Sequence, residues 1–213
     1  MTPPSTARLR VEFVTIFVLA PVSAAVLVPA EVLFPALFGL LVVTVWLLWQ
    51  TPGFSLLQLW RGRVSWLRVL ALGAISAGAS VVLITELRPS AFMMPGLASP
   101  GLLALIVLLY PLLSALPQEL IFRTLFFERY GPIIPGGPAG LILNAAVFSL
   151  AHMIYWSWIV AALTFAGGLA FAHSYRDRRS FPEAFAMHAL AGDILFALGM
   201  SAWFYSANVT TPF

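Results

Sequence analysis

Glu119 and Arg123 stand four residues apart in the run Pro117-Gln118-Glu119-Leu120-Ile121-Phe122-Arg123. On a helix their carboxylate and guanidinium share a face and lie close enough to pair. Phe148 and His152 share a face by the same spacing, and a third segment, His188-Ala189-Leu190-Ala191-Gly192-Asp193, brings a second histidine with Asp193 beyond it. These residue types suit hydrolysis. A carboxylate can take a proton from water, and a neutral imidazole can position that water or bind a metal. A second imidazole with a donor beside it can stabilise a tetrahedral oxyanion. His152, His188 and Glu119 also form a set of the kind that holds a catalytic zinc ion. Residue type leaves metal-activated and carboxylate-activated water both open.

The segments that carry these residues are hydrophobic. Of 213 residues, 61% are hydrophobic and 9% charged, with a mean hydropathy of +0.97. Soluble domains carry about 25% charged residues, so lipid is the expected solvent. The net charge of +3 comes from arginine, since the chain has no lysine. The arginines fall in short clusters between apolar runs, which suits loops facing anionic lipid and not nucleic acid. The absence of cysteine excludes disulfides and thiolate chemistry. The apolar run after Arg10 lacks a small-residue cleavage site and is read as a retained span, not a signal peptide.

About seven stretches reach the length that a bilayer demands: 9–29, 31–50, 65–87, 100–130, 138–157, 158–175 and 182–206. Between the second and third, Pro52 to Arg63 is too short to cross and suits a helix lying along the interface. The predicted fold is an all-α integral membrane bundle. It divides into an N-terminal region, 1–99, with three spans and the interfacial helix, and a core, 100–213, with four. If every span crosses, Arg8, Arg10, Arg61, Arg63, Arg68, Arg129, Arg176, Arg178 and Arg179 share one side and Arg88 lies on the other. The positive-inside rule then makes the N-terminus cytoplasmic. At about 1.5 Å per residue, Glu119 lies roughly 16 Å, His152 roughly 21 Å and His188 roughly 10 Å from that face. All three fall in the cytoplasmic half or near the midplane, where convergence is possible. An ionisable residue at such depth costs about 2.5–3.5 kcal/mol on insertion scales and marks a functional site by default.

Taken in order on successive spans, Glu-x-x-x-Arg, Phe-x-x-x-His and the later His resemble the CAAX protease and bacteriocin-processing (CPBP, or Abi) family. The resemblance covers about residues 100–205, including Gly167-Gly168 and the arginine-rich loop before the last span. It implies an intramembrane endopeptidase of a prokaryotic cell membrane acting on a peptide or membrane-protein substrate. Carried over by residue, Glu119 activates water and Arg123 holds the glutamate. His152 helps position or polarise the water, and His188 contributes to the oxyanion site. The family is usually labelled a metalloprotease, which would make a divalent metal such as zinc the cofactor, although a metal-free glutamate mechanism is also argued for its eukaryotic CAAX-processing members. Two positions depart from the pattern. The family has paired glutamates where this chain has Gln118-Glu119, and it has Asn or Asp four residues after the last histidine, where this chain has Gly192. Asp193 or Asn144 would then have to stand in as donor; Gln118 and Phe148 complete the substrate-side candidates.

Other readings compete. Glu119 and Arg123 would form a structural ion pair in a non-catalytic membrane interaction protein on the same fold, or a relay in a proton-coupled transporter. Repeated halves, the mark of many carriers, are not evident in the sequence. His173 is expected at the interface, Glu12 near a span end in solvent, and Glu128 and Arg129 at the surface.

Overall fold

The computed structural model describes residues 4–204, which form helices and short connections with no strand among them. Among the described residues six helices are long and apolar enough to cross a membrane: α1 (Thr6–Leu27), α3 (Trp66–Leu87), α4 (Pro100–Tyr130), α5 (Gly137–Tyr155), α6 (Trp158–Arg176) and α7 (Phe181–Leu198). A further apolar helix, α2 (Leu33–Trp49), has 17 residues. That is about 25 Å at 1.5 Å per residue, the lower limit for a span.

Side-chain ties at the helix ends establish the alternation. Arg129, near the end of α4, reaches Glu12 in the early turns of α1, and also Leu47 and Thr51 at the end of α2. Glu183 at the start of α7 accepts from the backbone N–H of Ser65 at the start of α3. Arg176 at the end of α6 donates to the carbonyl of Gly137 at the start of α5. At the opposite end, the Trp156 indole donates to Ala25 and Arg88 donates to Ala202. Successive helices therefore run antiparallel from end to end of the bundle, α2 included. The chain is a multi-pass all-α membrane protein.

Local sequence sets the boundaries. Ser5, Ser157 and Ser180 cap α1, α6 and α7, each accepting from the N–H three residues on. Pro100, Pro138 and Pro182 occupy first-turn positions, where no N–H is needed. The span expected over 182–206 ends sooner, at Gly199. That residue has φ 105°, a left-handed conformation that favours glycine and closes α7, before a short helix Ser201–Phe204; positions 205 and 206 lie outside the described residues. Pro52 to Arg63 holds a five-residue 3₁₀ helix, Leu56–Trp60, with Leu56, Leu57 and Trp60 exposed, as a segment lying at an interface requires.

One apolar core unites the N-terminal helices with α4 to α7. Phe17 of α1 meets Phe122, Phe126 and Tyr130 of α4 edge-on at centroid distances of 5.4–5.7 Å. Two expectations change here. Glu12 is not simply solvated, and Arg129 is not a surface residue. Arg129 is buried, donating to both carboxylate oxygens of Glu12 at 2.7 and 3.0 Å, so part of the charge assigned to a loop is neutralised inside the bundle. Outward-facing Val, Leu, Ile and Trp side chains stay exposed along α1 to α4, where lipid would cover them.

Candidate active site

The long helix α4 is not regular. Pro117 lacks the N–H that the carbonyl four residues before it would receive, and a wide π-type turn lies there, at Pro111–Ala115; a second follows at Leu120–Leu125. The N–H of Leu116 accordingly reaches back five residues to the carbonyl of Pro111. Each wide turn shifts the phase of the helix. Together they frame the short α-turn Leu116–Glu119 that carries Gln118 and Glu119.

Glu119 and Arg123 are both fully buried, and the guanidinium Nε lies 3.4 Å from the second carboxylate oxygen, Oε2. The first oxygen, Oε1, lies 2.9 Å from Nδ1 of His188 on α7. Facing an ionised carboxylate, Nδ1 must carry the proton, which fixes the imidazole tautomer. Although the Arg123 contact is an ion pair by distance, neither Oε2 nor Nε is in a hydrogen bond among the described residues. Glu119 thus keeps an oxygen with lone pairs to accept a further proton donor.

Aromatic rings wall this cluster. Arg123 lies over the faces of Phe148, at 4.5 Å, and Phe171, at 5.5 Å, so the buried cation meets ring π-density. His188 stacks on Phe171 with centroids 4.8 Å apart and 13° between planes. Phe148 meets His152 at 4.6 Å and His188 at 5.5 Å, edge-on to both. Phe148 is therefore the spacer between the two histidines, and Arg123, His152 and His188 all meet its ring. His152 begins the last turn of α5, its Nδ1 2.8 Å from the carbonyl of Phe148. That carbonyl can only accept, so Nδ1 carries the hydrogen and Nε2 is left as the basic nitrogen.

The remaining candidates have other duties. Asn144 was expected among the oxyanion donors, but its oxygen accepts from Arg123 and its amide donates to the carbonyl of Phe122. It anchors the arginine. Gln118 donates to Ser114 at 2.9 Å and leaves its buried carbonyl oxygen without a partner. Asp193 has one buried oxygen, Oδ1, with no partner, and no hydrogen bond links it to His188 among the described residues. His173 is at the exposed end of α6, 3.0 Å from Asp177, as expected of an interfacial residue. A cleft of about 700 Å³ opens at the arginine-rich end between Arg61, Glu128, Tyr175 and Arg176, and Glu119, His152 and His188 do not line it.

The metal set fits poorly. Among the described residues no group of three or more His, Asp or Glu side chains is arranged to hold an ion. Nδ1 of His188 is turned to Glu119 and Nδ1 of His152 to a backbone carbonyl, so the expected set of His152, His188 and Glu119 is not gathered around one point by these contacts.

Sequence reasoning missed two rings that pack on His188, Phe171 and Tyr110. For Tyr110 the available signal was Gly192. A glycine four residues after the histidine, on the same helix face, marks a place where another group approaches closely.

Fold and site together define a class: an all-α membrane bundle with a carboxylate, an arginine and two histidines gathered on three helices of its interior. Residues 100–192, which run from the start of α4 to Gly192, match the family model described as type II CAAX prenyl endopeptidase Rce1-like. The match agrees with the resemblance to the CPBP family and supports CAAX-type intramembrane protease activity in general terms. No curated protein and no solved structure matches the chain.

Proposed function

We propose that the chain is an intramembrane endopeptidase that hydrolyses a peptide bond of a peptide or membrane-protein substrate, with Glu119 activating the water. The observation that carries this reading is the contact between Glu119 and His188 beside the buried Arg123. Arg123 supplies the counter-charge that lets a carboxylate exist in the bundle interior. Glu119 Oε2 accepts the proton of a water molecule as its oxygen attacks the scissile carbonyl, and then returns the proton to the amide nitrogen as the C–N bond breaks. His152, through its basic Nε2, orients the water. His188, held in one tautomer by Glu119, presents its other nitrogen to the reacting group. The arginine-rich ends of α2, α4 and α6 support a cytoplasmic N-terminus and a site in the cytoplasmic half.

A quenched fluorescent peptide with a prenylated CAAX-type C-terminus, in proteoliposomes, is the first probe to use. Cleavage that requires Glu119 and His152 supports the reading; wild-type cleavage matched by a folded Glu119→Ala protein contradicts it.

A second reading draws on two sequence positions and on burial. Gln118 stands where the first of the paired glutamates would be, Gly192 offers no donor, and Glu119 is closed off between its partners. These favour a non-catalytic membrane interaction protein on the same fold. In that case the cellular phenotype of a deletion is restored as fully by the Glu119→Gln protein as by the wild type.

A further inference from the structure

A side chain four residues after His188 would share its helix face and lie beside the imidazole. In this chain the position is Gly192, and the space is taken by a residue of another helix. A Cβ built on Gly192 would overlap Cε1, Cζ and Oη of Tyr110, on α4. Tyr110 is therefore admitted to this place by the glycine. Its ring meets His188 at 6.2 Å with 73° between planes and Phe196 at 5.3 Å, which fixes it against α7. Pro111 follows directly and opens the first wide turn of α4, so the backbone feature that sets the phase of Glu119 also sets Tyr110. Among the described residues no hydrogen bond involves the phenol oxygen, while Gln118, Ser114 and Asn144 are all engaged.

We propose that the Tyr110 hydroxyl is the oxyanion donor of this site, replacing from α4 the side chain that Gly192 lacks on α7. The assignment rests on the peptidase reading. As water oxygen bonds to the carbonyl carbon, the π pair of the C=O bond moves to oxygen. Tyr110 donates a hydrogen bond to that oxyanion without giving up its proton, Glu119 holds the proton lost by water, and collapse of the intermediate breaks the C–N bond. A phenol suits the task because its O–H is a strong donor and its ring is rigid.

Tyr110→Phe keeps the ring over Gly192 and removes only the hydroxyl. With the prenylated quenched peptide, kcat is expected to fall about 10²- to 10³-fold, the usual cost of one oxyanion donor, with KM within about twofold. Tyr110→Ala combined with Gly192→Asn returns a donor to α7 and is expected to recover about tenfold over Tyr110→Ala alone. If Glu119→Gln is inactive and Tyr110→Phe keeps the wild-type kcat, the donor assignment is overturned and the peptidase reading stands. A wild-type protein that cleaves nothing overturns both. If Tyr110→Phe melts early, the double variant decides: recovery over Tyr110→Ala supports the assignment and no recovery overturns it.

Discussion

Nδ1 of His188 lies 2.9 Å from a carboxylate oxygen of Glu119, joining two helices across 69 residues of sequence. Neither residue gains from burial alone, since a carboxylate in an apolar interior is costly unless it is paired. The pairing with Arg123 on one side and His188 on the other is what makes the position tenable. Loss of the imidazole in His188→Ala is expected to leave the bundle folded and to lower kcat by about 10²- to 10⁴-fold, the range for a positioned acid–base group. The comparison of kcat with the melting temperature in detergent checks it.

Arg123 is the member whose removal should unfold the protein. It is fully buried, pairs with Glu119, donates to Asn144 and lies over Phe148 and Phe171. Arg123→Ala removes the counter-charge of a buried carboxylate and leaves the buried Asn144 amide oxygen without its donor, and is expected to cost about 3–5 kcal/mol. Unfolding in mixed micelles measures this. Arg123→Lys should recover only part, because an ammonium cannot reach Asn144 and Glu119 in the same planar geometry.

Packing between α5 and α6 depends on Gly168. A Cβ there would come within 3.1 Å of the Ala145 Cα and 3.3 Å of the Phe148 ring. Gly168→Val is expected to destabilise by about 1–3 kcal/mol. Because Phe148 spaces the two histidines, the same variant should lose activity more steeply than stability. Gly39 of α2, which has open space around it, provides the control: Gly39→Ala should lower neither.

The transmembrane course can be read without background labelling, since the chain has no cysteine. Single cysteines at Arg10, Arg61 and Arg176 should react with a membrane-impermeant maleimide from one side only, and one at Arg88 from the other. Labelling of Arg61 and Arg176 from opposite sides would break the seven-pass alternation.

Much of this was legible beforehand, for identifiable reasons. Hydropathy marks the long helices because lipid demands about twenty apolar residues in a row. The spacing Glu119 to Arg123 is a local, single-helix relation and survives into the structure as an ion pair. The contact between Glu119 and His188 was only a depth argument, because a linear sequence carries no rotation between helices. The two wide turns of α4 were invisible as such, although Pro117 marks the first, and they set which way Glu119 and Tyr110 face. Arg129 was misjudged because its partner, Glu12, lies 117 residues away. Asn144 was misjudged for the same reason: the group that occupies it, Arg123, comes from another span.

The most direct test is hydrolysis of the prenylated quenched peptide by purified protein in proteoliposomes, wild type against Glu119→Gln. Glutamine keeps the size of the side chain and can still meet His188, but it cannot take a proton from water. The account predicts cleavage by the wild type and loss of at least about 10²-fold in kcat for the variant, with both proteins equally folded. Equal rates from the two would contradict it.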